Sequence, residues 1–178
     1  MAHIELQLKA RINGNGLKER VTRKSTFAIQ RDITEFFFNS DKFNFALEVK
    51  LSQFEKGRIV LIKALSCDGD IKEVQEYKFS VSEPQDFMDF LEKLDFKPLC
   101  MIHKKVEVYF YKNIEIELCS IQELGEFIEL KVIGKDEHVK DKKEEIINLV
   151  KELKINHKDI EPRSYYVLIK EKENVGRT

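Results

Sequence analysis

The chain has 178 residues, 42% hydrophobic and 35% charged, and its 31 Lys and Arg against 32 Asp and Glu give a net charge of -1. That length suits one globular domain over residues 1–178 with a sizeable core, and the balanced charge excludes a global attraction to nucleic acid or to an anionic membrane. Three cysteines without a CxxC pair, no apolar leader and no run near the roughly 18 apolar residues of a span argue against disulfide scaffold, zinc site, secretion and membrane insertion; the expectation is a soluble cytoplasmic protein.

The first strand is predicted at His3–Ile12, where Ile4, Leu6, Leu8, Ala10 and Ile12 alternate with Glu5, Gln7, Lys9 and Arg11. "NGNG" at 13–16 breaks it, and a short helical stretch is expected over Leu17–Lys24. "STFAIQRDITEFFFN" follows as a strand rich in β-branched and aromatic residues. "NFALEVKLSQF" and "GRIVLIKAL" form a predicted hairpin about Glu55-Lys56-Gly57. "EVQEYKFSV" is the next strand, with Glu76 and Lys78 alternating against Tyr77, Phe79 and Val81. Ser82 and Pro84 then open a helix whose predicted apolar stripe is Phe87, Phe90, Leu91 and Leu94. "PLCMIHKKVEVYFY" and "IEIELCSI" form a second hairpin about Lys112-Asn113, and "GEFIELKVIG" is a further strand. An amphipathic helix is expected from about Glu137 to Ile155, carrying Val139, Ile146, Val150 and Leu153.

The polar faces repeat one theme. Glu5/Gln7/Lys9/Arg11, Glu48/Lys50, Glu76/Lys78, Glu115/Glu117 and Glu129/Lys131 each put charge in a row on one strand face. Solvated sheets also alternate Glu with Lys, but an antiparallel barrel with a charged interior produces the same signature on every strand. The expectation is an α+β fold: a single antiparallel eight-stranded barrel with a mid-chain helix and a C-terminal helix.

The ordered motifs resemble the CYTH superfamily, which includes class IV adenylyl cyclases and thiamine and inorganic triphosphatases. The family's first strand carries E-x-E-x-K; here it reads Glu5-Leu6-Gln7-Leu8-Lys9. "ALEVK" (46–50) corresponds to "ALRiR", Lys63 to a following strand lysine, and Glu76 to the glutamate before the central helix. Lys104, Val106 and Tyr109 correspond to "K-x-R-x-x-Y", "LCSIQELGEFIELK" (118–131) to "LDxVxxLGxFxExE", and "SYYVL" (164–168) to "SYxxL". The resemblance implies a tunnel that holds a triphosphate-containing small molecule, with Mg²⁺ or Mn²⁺ on grouped carboxylates. It assigns phosphate contacts to Lys9, Arg11, Lys50, Lys63 and Lys104, and metal contacts to Glu5 and Glu129; Glu117, on the face of Cys119, is a possible third. Gln7, Glu48, Glu76, Lys78, Cys119 and Lys131 complete the expected lining. The partners implied are a small molecule and at most a second copy of the chain, not nucleic acid or membrane.

Departures fall where chemistry is most sensitive. Gln7 stands for a metal-binding Glu, Cys119 for an Asp, Lys131 for the last Glu of "ExE", Glu48 for an Arg and Val106 for another Arg. Lys131 is the most consequential, because its ammonium is able to take the place of a cation and pair with Glu129 or Glu5. Two functions stay open from the sequence: a binding protein with weak or absent turnover, and an active Mg²⁺- or Mn²⁺-dependent triphosphatase or adenylyl cyclase. His3, His103, His138 and His157 have no mutual spacing suited to metal, Lys142-Lys143 read as a solvated helix face, and "EFFFN" (35–39) reads as core.

Overall fold

In the computed structural model, residues 4–14, 16–39, 47–54, 57–68, 70–80, 82–134 and 139–175 are described. They form an α+β fold with β1 (Ile4–Arg11), α1 (Gly16–Lys24), β2 (Thr26–Asn39), β3 (Leu47–Phe54), β4 (Gly57–Asp68), β5 (Ile71–Ser80), α2 (Pro84–Lys93), β6 (Lys97–Tyr111), β7 (Ile114–Ile121), β8 (Gly125–Gly134), α3 (Val139–Glu152) and α4 (Tyr165–Val175). For β3, β4 and residues 75–80 the description is backbone pairing alone. Every pairing is antiparallel. The order is β1-β5-β4-β3-β2-β6-β7-β8, and β8 pairs again with β1, so the ladder closes into a barrel.

Strict alternation divides each strand between two faces. Leu6, Leu8 and Ala10 of β1, Ile116 and Leu118 of β7, and Ile128, Leu130 and Val132 of β8 point outward. They are buried there beneath Leu17 and Val21 of α1 and Ile146, Leu149 and Leu153 of α3. The two helices are thus a coat on one wall, held by the apolar stripe that their 3.6-residue period provides. A second cluster lies on the opposite, inner face: Ile33, Phe37, Ile102, Val106, Val108, Cys119, Ile121 and Phe127, joined by Tyr165, Leu168 and Ile169 of α4. Phe38, Leu91 and Phe96 anchor α2 in a smaller third cluster. The β6–β7 turn needs Lys112 at φ 55, a left-handed value that a two-residue hairpin imposes.

The structure corrects the sequence reading at the helices. Among the described residues four α-helices are present rather than a mid-chain and a late one beside a short stretch, and the last of them is α4. Its segment "YYVLIKEKENV" has apolar residues crowded at one end and charges at the other, so no amphipathic stripe announces it. In α2 the expected stripe is only partly buried: Leu91 is inside, whereas Phe90 and Leu94 are 52% and 46% exposed. Leu94 already lies beyond the helix end. Among the described residues no helix is long and apolar enough to cross a membrane.

Candidate functional site

Register stacks the charged side chains of the inner face in rows across neighbouring strands. Gln7 of β1, Lys131 of β8 and Glu115 of β7 form one row, Lys9, Glu129 and Glu117 the next, and Arg11, Phe127 and Cys119 the third. Val108 and Val106 of β6 extend the last two rows. The row pattern is what an eight-residue strand with a polar residue at every odd position must give once paired.

Buried charge concentrates in the middle of this wall. Glu5, Glu117 and Glu129 are at most 9% exposed, and Cys119 is 2% exposed. Lys131 reaches between two of the carboxylates, with Nζ 2.6 Å from Glu117 and 3.0 Å from Glu129. Burial by itself disfavours the ammonium, but Glu117 and Glu129 outweigh it and hold the Lys131 pKa well above the ordinary value. Reciprocally, burial would raise the Glu117 carboxyl, and Lys131 and Lys104 bring it below the ordinary value. Glu115 goes the other way, raised by burial and by Glu117 beside it. Gln7 Nε2 donates to Glu5 Oε1.

A second buried pair stands next to the first. Lys104 of β6 contacts Glu35 of β2 at 3.1 Å, both side chains being 4% exposed. The pair forms because β2 and β6 set Ile33 opposite Lys104 and Glu35 opposite Ile102, bringing the two charges onto adjacent inner positions. Burial opposes the Lys104 charge, and Glu35 and Glu129 more than restore it. Glu35 was invisible as a site residue in the sequence because it sits in "EFFFN", a segment that reads as core.

The third feature is the C-terminal segment. The Tyr165 ring lies 4.0 Å from Lys9 Nζ, and its hydroxyl donates to Glu129 at 2.5 Å. Lys9 Nζ also donates to the Arg163 carbonyl. Arg11 stacks over Phe127 at 4.9 Å and reaches Glu161 at 3.5 Å. Glu161 is buried and held below the usual carboxylate range, chiefly by hydrogen bonds from Arg163. Only "SYYVL" marked this segment in the sequence; Glu161 and Arg163 gave no signal.

The sequence-predicted residues are therefore brought together in large part. Glu5, Gln7, Lys9, Arg11, Lys104, Glu117, Cys119, Glu129 and Lys131 share the inner face. Glu48 pairs in register with Lys63 and Lys63 with Glu76, while Lys50 pairs with Leu61 and Leu61 with Lys78; the side chains of these five lie outside the described residues. Lys143 departs from its expected solvated role by pairing with Glu73 of β5 at 2.6 Å. Of the histidines, His103 meets Thr34 and His157 meets Asp70; His3 and His138 fall outside the described residues.

Glu117, Cys119 and Glu129 each offer a ligand atom within 4.8 Å of the others. These donors do not fit Mg²⁺ or Mn²⁺. A hard cation wants several anionic oxygens, whereas here Lys131 claims both carboxylates, position 7 is a neutral amide and Cys119 is a soft thiol. Burial and the Glu129 charge push the Cys119 thiol far above its ordinary value, so it stays protonated.

An antiparallel barrel with acids and lysines interleaved on its inner face is the class of protein defined here. The CYTH domain matches residues 3–165, and the chain belongs to that family. The protein named "Putative adenylate cyclase MJ0240" from Methanocaldococcus jannaschii is 26% identical over 171 residues, covering 93% of this chain and 98% of that one. Among solved structures, PH1012 from Pyrococcus horikoshii OT3 superposes with a TM-score of 0.82 at 20% identity, covering 92% of this chain and 98% of its own. HpAC1 from Hippeastrum, described as having a dominant triphosphatase activity, gives a TM-score of 0.66 at 13% identity and 96% coverage of both.

Proposed function

We propose that the chain is a triphosphate-binding tunnel protein that holds a nucleotide or other phosphorylated small molecule without a divalent cation and turns it over slowly or not at all. The observation that carries this reading is Lys131, whose ammonium bridges Glu117 and Glu129 at 2.6 and 3.0 Å. A tethered cation there neutralises the carboxylates and repels a divalent ion. Family membership and the triphosphatase activity described for HpAC1 support a triphosphate as the ligand class. Lys9, Arg11, Lys50, Lys63 and Lys104 are the candidate phosphate contacts, since cations on several strands grip a polyanion from several sides. Lys104 and Arg11 would exchange Glu35 and Glu161 for phosphate oxygens.

The test is a thermal-shift screen with ATP, thiamine triphosphate and tripolyphosphate, with and without Mg²⁺ or Mn²⁺, beside a phosphate-release assay. A ligand that binds the native state raises the melting temperature. The expected result is a metal-independent rise, abolished in the Lys9→Met/Lys63→Met double variant, and turnover far below about 1 per second. Restoring Gln7→Glu, Cys119→Asp and Lys131→Glu together should raise metal-dependent turnover. Metal-dependent turnover of about 1 per second or more by the unaltered chain overturns the reading in favour of a triphosphatase or cyclase.

A further inference from the structure

Among the described residues the strand ladder closes on itself, so a second copy of the chain finds no open edge to pair with. The stretch of β1 beyond Ile4–Gln7, which β5 leaves uncovered, is filled from within. Ile160 bridges Ala10 there, and the Glu161 N–H donates to the Lys9 carbonyl at 2.8 Å. Association between copies therefore falls to side chains on the outer coat, and the coat carries opposite charge at its two ends.

The acidic end is α2. Residues 83–95 hold Glu83, Asp86, Asp89, Glu92 and Asp95 against Lys93, five acids to one cation in a chain whose net charge is -1. Leu91 turns inward against Phe38 and Phe96, which fixes the opposite face of the helix toward solvent. Asp86 and Phe90, four apart, share that exposed face with Asp89, and Leu94 is exposed just past the helix end. The basic end is made by the last turns of α1 and α3. Arg20 Nε donates to the Leu153 carbonyl at 2.7 Å and Lys24 Nζ meets Glu152 at 2.8 Å, so the two turns lie side by side. They set Arg20, Arg23, Lys24, Lys151 and Lys154 around Glu152, five cations to one acid. Exposed Ile147 stands one turn before Lys151 on the same face of α3.

Both ends flank β6. Phe38, against which α2 packs, pairs with Pro98 at the start of that strand. At its far end Lys18 of α1 meets Glu107, and the Tyr111 hydroxyl donates to Glu152. The 15 residues of β6 hold the two ends about 45 Å apart, too far for one chain to bring them together. We infer that a second copy docks antiparallel across this side of the barrel, so that α2 of each protomer meets the α1–α3 turns of its partner. A two-fold axis satisfies both contacts at once, whereas a single head-to-tail contact leaves one acidic and one basic end open to further copies. Opposite charge sets the alignment, and Phe90, Leu94 and Ile147 supply apolar area to bury. A foreign partner would have to offer the complement of both ends; this chain already carries them.

Light scattering after size exclusion reads the mass. The unaltered chain should approach twice 21.0 kDa with rising concentration in low salt. It should return to a single chain at about 1 M salt, where exposed charges are screened beyond about 3 Å. Two charge-reversed chains give the sharper test. Asp86→Lys/Asp89→Lys/Glu92→Lys makes the α2 end basic, and Arg23→Glu/Lys151→Glu/Lys154→Glu makes the other end acidic; all six side chains are exposed. Each variant alone should be monomeric, and an equimolar mixture should recover the doubled mass, because each chain then finds its opposites in the other. The salt arm uses the unaltered chain and does not depend on the variants folding. A monomer at every concentration overturns the inference, as does a dimer that resists salt or that either variant retains alone. Two monomeric variants that stay apart on mixing overturn the pairing of these ends. A mass that grows beyond two chains overturns the two-fold closure.

Discussion

Replacing Lys131 with Met removes the internal cation while keeping most of its volume. At an effective dielectric of about 20, charges 2.6 and 3.0 Å apart attract by about 6 and about 5.5 kcal/mol. Most of that sum offsets the cost of taking three charges out of water. The net loss on removing one member of such a buried group is about 3–5 kcal/mol, since Glu117 and Glu129 are left facing each other without the cation between them. For a chain of this size the melting temperature should fall by about 6–20 °C. The pH dependence has a definite sign. In the unaltered protein the Glu117 pKa lies below its ordinary 4.5, so its stabilisation is present above that value and fades as pH falls through the folded pKa. In Lys131→Met the two adjacent carboxylates share a raised folded pKa, so the penalty is full at neutral pH and relieved on acidification. Both effects narrow the gap, and thermal unfolding followed by circular dichroism at pH 7 and pH 4.5 measures it. Added Mn²⁺ should restore part of the lost stability to the variant and none to the parent. A variant that melts within about 2 °C of the parent at pH 7, against the loss expected for a broken buried pair, refutes the reasoning. So does a gap that stays constant with pH.

The neighbouring pair gives a different expectation. Lys104→Met should cost about 3–5 kcal/mol in denaturant unfolding by taking from buried Glu35 the ammonium it contacts, and Glu35→Leu added to it should recover most of that loss; a double variant no better than the single one would show that the two charges act separately. Cys119 should resist iodoacetamide at pH 8 in the native protein and react only on unfolding, because burial and Glu129 keep it a thiol. Cys100, half-buried, should be alkylated before Cys119, with peptide mapping by mass spectrometry as the readout.

What was legible in the sequence follows from periodicity. β1 alternates without a break from Ile4 to Ile12, so its face assignment, and with it the shared face of Glu5 and Lys9, was available from residue order alone. The pairing of Lys131 with Glu129 was likewise readable, because residues two apart on a strand share a face. Glu35 was not, because one charge among Phe36, Phe37 and Phe38 carries no period and its partner lies on a strand nearly seventy residues away. Nor was α4: its helix is held by a few inward contacts and by Arg163, and its own pattern resembles a strand followed by a charged tail. Register told which residues align; only the closed structure told that Lys104 and Arg11 already have acidic partners.

The edge of β1 that Ile160 and Glu161 complete has a consequence for how the chain is made. β1 comes first of the eight strands in chain order, yet its partners are β5, β8 and a segment beyond α3. Among the described residues its partners all lie beyond residue 70, and its last open positions wait for Ile160 and Glu161. Loop closure over such separations is entropically costly before any contact repays it. During translation β1 is therefore an apolar, alternating, ready-to-pair segment held without its neighbours, the kind of exposed edge on which nascent chains associate. Completion of this domain should therefore wait until Ile160 and Glu161 have been made.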